Sequence, residues 1–128
     1  MKNRILLSAA VFAFGAGAWL FVLPGSAQEE LDPVKIASDT HKVAFENQFV
    51  RVIEAKVPPG GLEPKHRHPK GVTVYLANYS IEMKTFPDGK VSRAERKFGA
   101  VSWSDTTVHE VKNIGKTPSH AMRIELKY

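Results

Sequence analysis

The sequence predicts an all-β domain, a sandwich or barrel of short antiparallel strands. Three observations predict it. Alternating segments rich in Val and Ile recur at roughly 8–12-residue spacing from Lys42 onward. Pro- and Gly-rich turn signals separate them. No stretch sustains the periodicity of an amphipathic helix.

The segment before the domain stands apart. Lys2 and Arg4 make a basic start, Ile5 to Leu23 run without a charge, and Pro24-Gly25-Ser26-Ala27 follow. Residues 1–27 therefore read as a secretory signal peptide, with small residues placed for a cut before Gln28. The alternative is an uncleaved anchor, since the uncharged run of 19 residues is just long enough to span a bilayer. In either case the domain is exported, to the periplasm in a bacterial-style cell, and it meets the membrane only through this segment. Residues 28–41 are polar, contain Pro33 and read as an extended arm, with His41 facing solvent. Residues 42–128 form the domain.

Phe49 to Val57 alternates and is stopped by Pro58-Pro59-Gly60-Gly61. Val72 to Ala77 is a short β-branched and aromatic strand, and Asn78-Tyr79 reads as a hairpin turn into Ile81 to Phe86. Pro87-Asp88-Gly89 is a turn in which Pro presets φ and Gly accepts a positive one. Val91 to Phe98 is charged and suits an edge or outer strand. Ala100 to Ser104, Val108 to Ile114 and His120 to Leu126 complete the set. In the last, Met122, Ile124 and Leu126 share one face, and Arg123, Glu125 and Lys127 the other.

Composition removes several classes of chemistry. The 128 residues suffice for one domain, and they include no cysteine. A disulfide framework, a thiolate metal site and a cysteine nucleophile are thereby excluded. Net charge is +5, falling to +3 without Lys2 and Arg4, too mild to indicate nucleic acid. No G-x-S-x-G, Gly-rich phosphate loop or H-E-x-x-H is present.

The candidate chemistry lies in GGLEPKHRHPKGVTVYL. On an extended chain His66 and His68 project to the same side, where two imidazoles can share one metal ion. By themselves they also fit a surface loop. Even parity continues through Val72, Val74 and Leu76, which directs the pair toward the core if the strand stays regular past Pro69. His109 alternates with Glu110 and shares its face with Val111 and Asn113, so it sits on the inward face of a late strand. Lys65, Arg67 and Lys70 either form an electropositive mouth or are a solvated face. His120 reads as a satisfied core histidine, and Trp103, Tyr75 and Phe86 as core or cavity lining, with packing on the outer sheet or at a dimer contact as the alternative for Tyr75. No catalytic residue is assigned; Tyr79, Glu63 and Asp105 are the nearest proton-carrying groups, all placed in turns.

These segments together resemble the cupin superfamily of small jelly-roll β-barrels. Five residues separate Gly60 from His66 and His68 completes the pair; His109 and Asn113 match the second motif, with Gly99 at its opening. The likeness runs from Asn47 to Leu126. The motif Glu is replaced by Val72, the Asp after the second motif's Gly by Ala100, and its Pro by Asp105. The resemblance implies an antiparallel jelly-roll barrel that forms a homodimer. It implies one divalent metal on His66, His68 and His109: iron first, with zinc, nickel, copper and manganese as the other ions such a site holds. No organic cofactor is implied. Three-histidine sites of this kind resemble those of cupin dioxygenases. The expected function is thus a metal-dependent cupin acting on a small anionic or oxygen-bearing substrate, as a dioxygenase-like oxidoreductase. The alternative is a non-catalytic periplasmic cupin that binds a metal or small ligand.

Overall fold

The computed structural model describes residues 30–128, and the expected signal segment, residues 1–27, lies outside them. A single helical turn, α1 (Pro33–Ile36), opens the described chain, capped by Asp32, whose side chain accepts from the Val34 amide. Pro33 stands at its first position, where the missing N–H costs nothing. Nine strands follow: β1 (His41–Glu46), β2 (Val50–Val57), β3 (Leu62–His68), β4 (Gly71–Tyr75), β5 (Tyr79–Thr85), β6 (Val91–Arg96), β7 (Val101–Ser104), β8 (Thr107–Asn113) and β9 (Ser119–Leu126).

They form two antiparallel sheets, one ordered β1-β2-β9-β4-β7 and the other β3-β8-β5-β6. This is the all-β jelly-roll barrel expected from the sequence. Charged β6 is an edge strand, as its composition indicated. Gly89 takes φ +68° in the turn before it, and Asp88 accepts from the Lys90 amide and the Thr85 hydroxyl.

Three local expectations are corrected. The parity carried through Pro69 breaks there, because the chain passes from β3 in one sheet to β4 in the other. Gly71, Thr73 and Tyr75 pair with the inward residues Glu125, Arg123 and Ala121. Val72 and Val74 lie on the outer face, paired with Ile124 and Met122. Only glycine fits at position 71, since a Cβ would collide with the Ile124 carbonyl oxygen. Second, Asn78-Tyr79 is no hairpin turn but another crossing between sheets, with the Asn78 side chain accepting from the Phe98 amide. Third, the outer-sheet alternative for Tyr75 fails: it is buried, lines the interior cavity and meets Ser102 Oγ (2.8 Å), while Trp103 stands at the cavity's exposed rim and donates to Asp105.

The inward row of β9 is its polar one: Ser119, Arg123 and Glu125 are buried, as is Ala121. Met122, Ile124 and Leu126 are half-buried on the outer face. Ile53 and Val57, on the neighbouring β2, supply the apolar part of the interior.

Asn113 closes one end of the barrel. Its Nδ2 donates to the carbonyls of Val57 (3.0 Å) and Thr117 (2.9 Å), and its Oδ1 accepts from the Gly115 amide (3.0 Å). The motif asparagine is therefore a structural clamp. Asn113→Ala leaves three backbone groups unpaired and is expected to cost about 2–4 kcal/mol of stability by chemical denaturation. Metal content should be unchanged in the folded fraction; a loss of metal without a loss of stability would make Asn113 part of the site instead.

Candidate metal centre

The histidines meet because of register. β3 and β8 pair with His66 opposite His109, and the two-residue period puts His68 on the same inward face. His66 Nε2 lies 3.1 Å from His68 Nε2 and 3.0 Å from His109 Nε2. The three sequence-predicted residues are thus brought together.

A fourth joins them. His41 does not lie in solvent: it begins β1, is 2% exposed, and packs its ring 5.4 Å from that of His66. Among the described residues, the compact set is His41, His66 and His68, with one ring nitrogen from each within 4.8 Å of the others. His109 adjoins this set through His66. His120, by contrast, hydrogen-bonds Glu54 on the outer face, away from the cluster.

Each imidazole of the compact set is oriented from behind. His66 Nδ1 donates to the Pro64 carbonyl (2.7 Å) and His68 Nδ1 to Glu125 Oε1 (2.7 Å). The Thr40 hydroxyl donates to the Ala37 carbonyl, which leaves its oxygen to accept from His41 Nδ1 (3.0 Å). These partners assign the tautomer: the proton sits on Nδ1 and Nε2 is a bare lone pair. Two such lone pairs, on His66 and His68, then face one another at 3.1 Å. That arrangement is repulsive unless a cation lies against them. His109 Nδ1 is buried with no partner among the described residues, and the ring's other nitrogen meets only the crowded Nε2 of His66. The donor set fits a borderline divalent ion held by neutral imidazoles, with carboxylate and carbonyl groups orienting the rings from behind.

The electrostatics agree. Burial pushes the pKa of every histidine of the cluster down, to about 4 for His41, where the charge on His66 adds to the effect. The rings are therefore neutral and competent as ligands at neutral pH. Glu125 is held by Arg51 Nε (2.7 Å), and Arg51 Nη1 reaches Asp32 (2.7 Å). Burial opposes the Arg51 charge, but these two carboxylates hold its pKa above the ordinary value. Burial raises the Glu125 pKa and Arg51 draws it back down.

A cavity of about 390 Å³ opens beside His68 and His109. Tyr79, Ile81, Met83 and Arg123 line it. Glu63 lines it too, in β3 rather than in a turn, because a bulge between Glu63 and His66 turns both inward. Burial alone raises the Glu63 pKa to about 7, and its Oε1 lies 3.7 Å from His41 Nε2. Asp105 is exposed. Lys65 and Lys70 lie over the rings of Phe86 and Tyr128, outside the histidine cluster.

Sequence reasoning missed His41, Arg51, Glu125 and Arg123. The signal available for the last two was the polar row of β9, which was readable as a solvated face.

Two antiparallel sheets closed around an inward histidine cluster define a jelly-roll protein with a candidate metal centre. The fold is the cupin fold. It is similar to a cupin domain from Bordetella pertussis Tohama I, with 28% identity, TM-score 0.63, and 69% of this chain and 92% of that one covered. A cupin-family protein with a double-stranded β-helix fold from Methanocaldococcus jannaschii shares 14% identity at TM-score 0.55, covering 67% and 77%. A double-stranded β-helix protein from Klebsiella pneumoniae shares 20% at TM-score 0.53, covering 66% and 74%. No family model matches the chain, and no curated protein does.

The pKa shifts set a pH dependence. A histidine held neutral in the fold takes up its proton first in the unfolded chain, so metal-free protein loses stability as pH falls from about 6.5 toward 4. His41 alone contributes on the order of 3 kcal/mol to that loss once the pH is below 4. Glu63 acts in the opposite sense, favouring the fold below its unfolded pKa of 4.5 and losing that contribution as pH rises through about 7. In chelator-containing buffer, Tm is expected to drop on acidification, less steeply in His41→Gln and more steeply in Glu63→Gln. A flat profile in all three proteins would contradict buried neutral histidines.

Proposed function

We propose that this protein is a metal-dependent cupin. His66 and His68 hold one divalent ion, with His109 and His41 on either side completing the set. The observation that carries this is the pair of bare Nε2 lone pairs at 3.1 Å, each with its Nδ1 proton committed to an oxygen behind it. A divalent ion bound there supplies Lewis-acid polarisation and, if it is iron, access to O₂ chemistry.

The chain's own residues do the rest. Glu125 and Pro64 fix the two central rings, so they need not reorganise on binding. The cavity receives a small anionic or oxygen-bearing substrate and limits its size. Glu63 is placed to carry a proton at its carboxyl near pH 7, in the water-poor interior. A dioxygenase-like oxidation is the reaction we favour, on the resemblance of three-histidine sites; iron is the metal we favour for the same reason. We read the domain as exported, on the character of residues 1–27.

Elemental analysis of the purified protein, beside His66→Ala/His68→Ala, tests the reading. The expected result is close to one divalent ion per chain in the wild type and none in the double variant. Glu125→Gln should retain the fold but weaken metal affinity about 10–100-fold. Iron in the wild type favours O₂ chemistry; zinc favours the alternative, a cupin that binds its ligand without transforming it. Wild-type protein that stays empty after reconstitution with iron, zinc, nickel, copper and manganese would overturn the metal centre.

A further inference from the structure

Among the described residues, no carboxylate is in hydrogen-bond contact with the buried Arg123. The residue is 6% exposed and lines the cavity. Its Nη2 donates to the Pro69 carbonyl (2.6 Å) and its Nη1 makes a long contact with Thr73 Oγ1 (3.3 Å). Both acceptors are neutral. Its Nε–H is buried and has no partner. Glu125, two residues along the same inward row, attracts it through space but makes no hydrogen bond to it: Oε1 is taken by His68 and Oε2 by Arg51. Glu63, the other buried carboxyl of the cavity, lies by His41 instead. A buried guanidinium is retained when something anionic pairs with it.

A second guanidinium reaches the same space. Arg96, opposite Tyr79 on β6, lies over the Tyr75 ring with Cζ 5.0 Å from its centroid. Its Nε is also buried and without a partner. The cavity thus has two arginines, the histidine cluster along one wall, and apolar Ile81, Met83 and Val111 between polar groups.

We propose that the cavity's ligand is a small carboxylate, and that Arg123 binds its carboxylate group. The inference rests on the reading of this cavity as the substrate site of a metal centre, and it adds the substrate class and the residue that selects it. The planar fork of Nε–H and the adjacent Nη–H matches the two oxygens of a carboxylate. The histidine wall lines the same cavity, so the favoured ligand carries a second oxygen donor besides that carboxylate: a hydroxy acid, an oxo acid or a short dicarboxylate. Arg96 adds positive charge to the same cavity. The apolar lining disfavours inorganic phosphate, which has no carbon skeleton to set against it.

The test uses the full-length expressed protein, chelator-treated and metal-loaded, with malonate, its neutral isostere malonamide, and inorganic phosphate as probes. Binding is read by calorimetry and by the ¹H–¹⁵N resonance of the Arg123 Nε–H, assigned with Arg123→Lys. Malonate is expected to bind and to shift that resonance even without metal, and to bind more tightly with it. Malonamide should leave the resonance in place, and phosphate should bind more weakly than malonate. Arg123→Gln should lose tenfold or more in malonate affinity with metal content unchanged, and Arg123→Lys should lose less. Should Arg123→Gln fail to fold, the resonance shift in wild type decides. Equal response to malonate and malonamide, no malonate binding by wild type, or wild-type affinity in Arg123→Gln would each overturn the proposal. Tighter binding of phosphate would replace the carboxylate with a phosphate ligand. Protein that takes up no metal but binds malonate through Arg123 would remove the metal reading and leave this one standing.

Discussion

The site depends on one buried carboxylate. Glu125 is 2% exposed, and it exists ionised in that position only because Arg51 and His68 each engage one of its oxygens. Through His68 it fixes a tautomer, and so the direction of a lone pair. Through Arg51 it reaches Asp32, which also caps α1. The chain that runs from Asp32 to His68 therefore ties the turn ahead of the barrel to a ring at its centre. Severing it changes the charge balance in a medium that solvates charge poorly, so its four members are coupled.

That interior explains an inversion in the sheet. β9 sends its polar row inward and its apolar row outward. The outward row is not wasted. Phe45, Val52, Ile124, Val72 and Trp103 stand opposite one another across all five strands of one sheet. Cross-strand apolar pairs of this kind stabilise a sheet whichever face they occupy. Apolar cohesion is thus partly moved to the outside of the barrel, and the inside is given over to hydrogen bonds and charge.

The sequence announced the strands, the Asp88-Gly89 turn and the inward histidines, because each is a local matter of period two or of turn chemistry. It did not announce what depends on the third dimension. Val72 was placed inward by parity, and the chain changes sheets between His68 and Gly71, which no periodicity records. Glu63 has odd numbering where the histidines are even, and only the bulge brings it to their side. His41 enters from the other sheet, and its neighbours in sequence say nothing of the cluster it meets. Arg123 and Glu125 alternate with Met122 and Ile124 as a solvated row would; the rule that hydrophobic faces turn inward fails where the interior holds a site.

Charge balance then links the histidines to the arginines. Neutral imidazoles bring donor electrons to an ion but no negative charge, and the carboxylate nearest to them is already spent on Arg51 and His68. A divalent ion on that wall would keep its whole charge, beside the Nε groups of Arg123 and Arg96, which have no partner among the described residues. Water can solvate such a cavity only in part, at about 390 Å³ and with apolar side chains among its walls. In the carboxylate reading, the compensating charge arrives with the ligand, and the guanidinium that is costly in the empty cavity is the group that would select it.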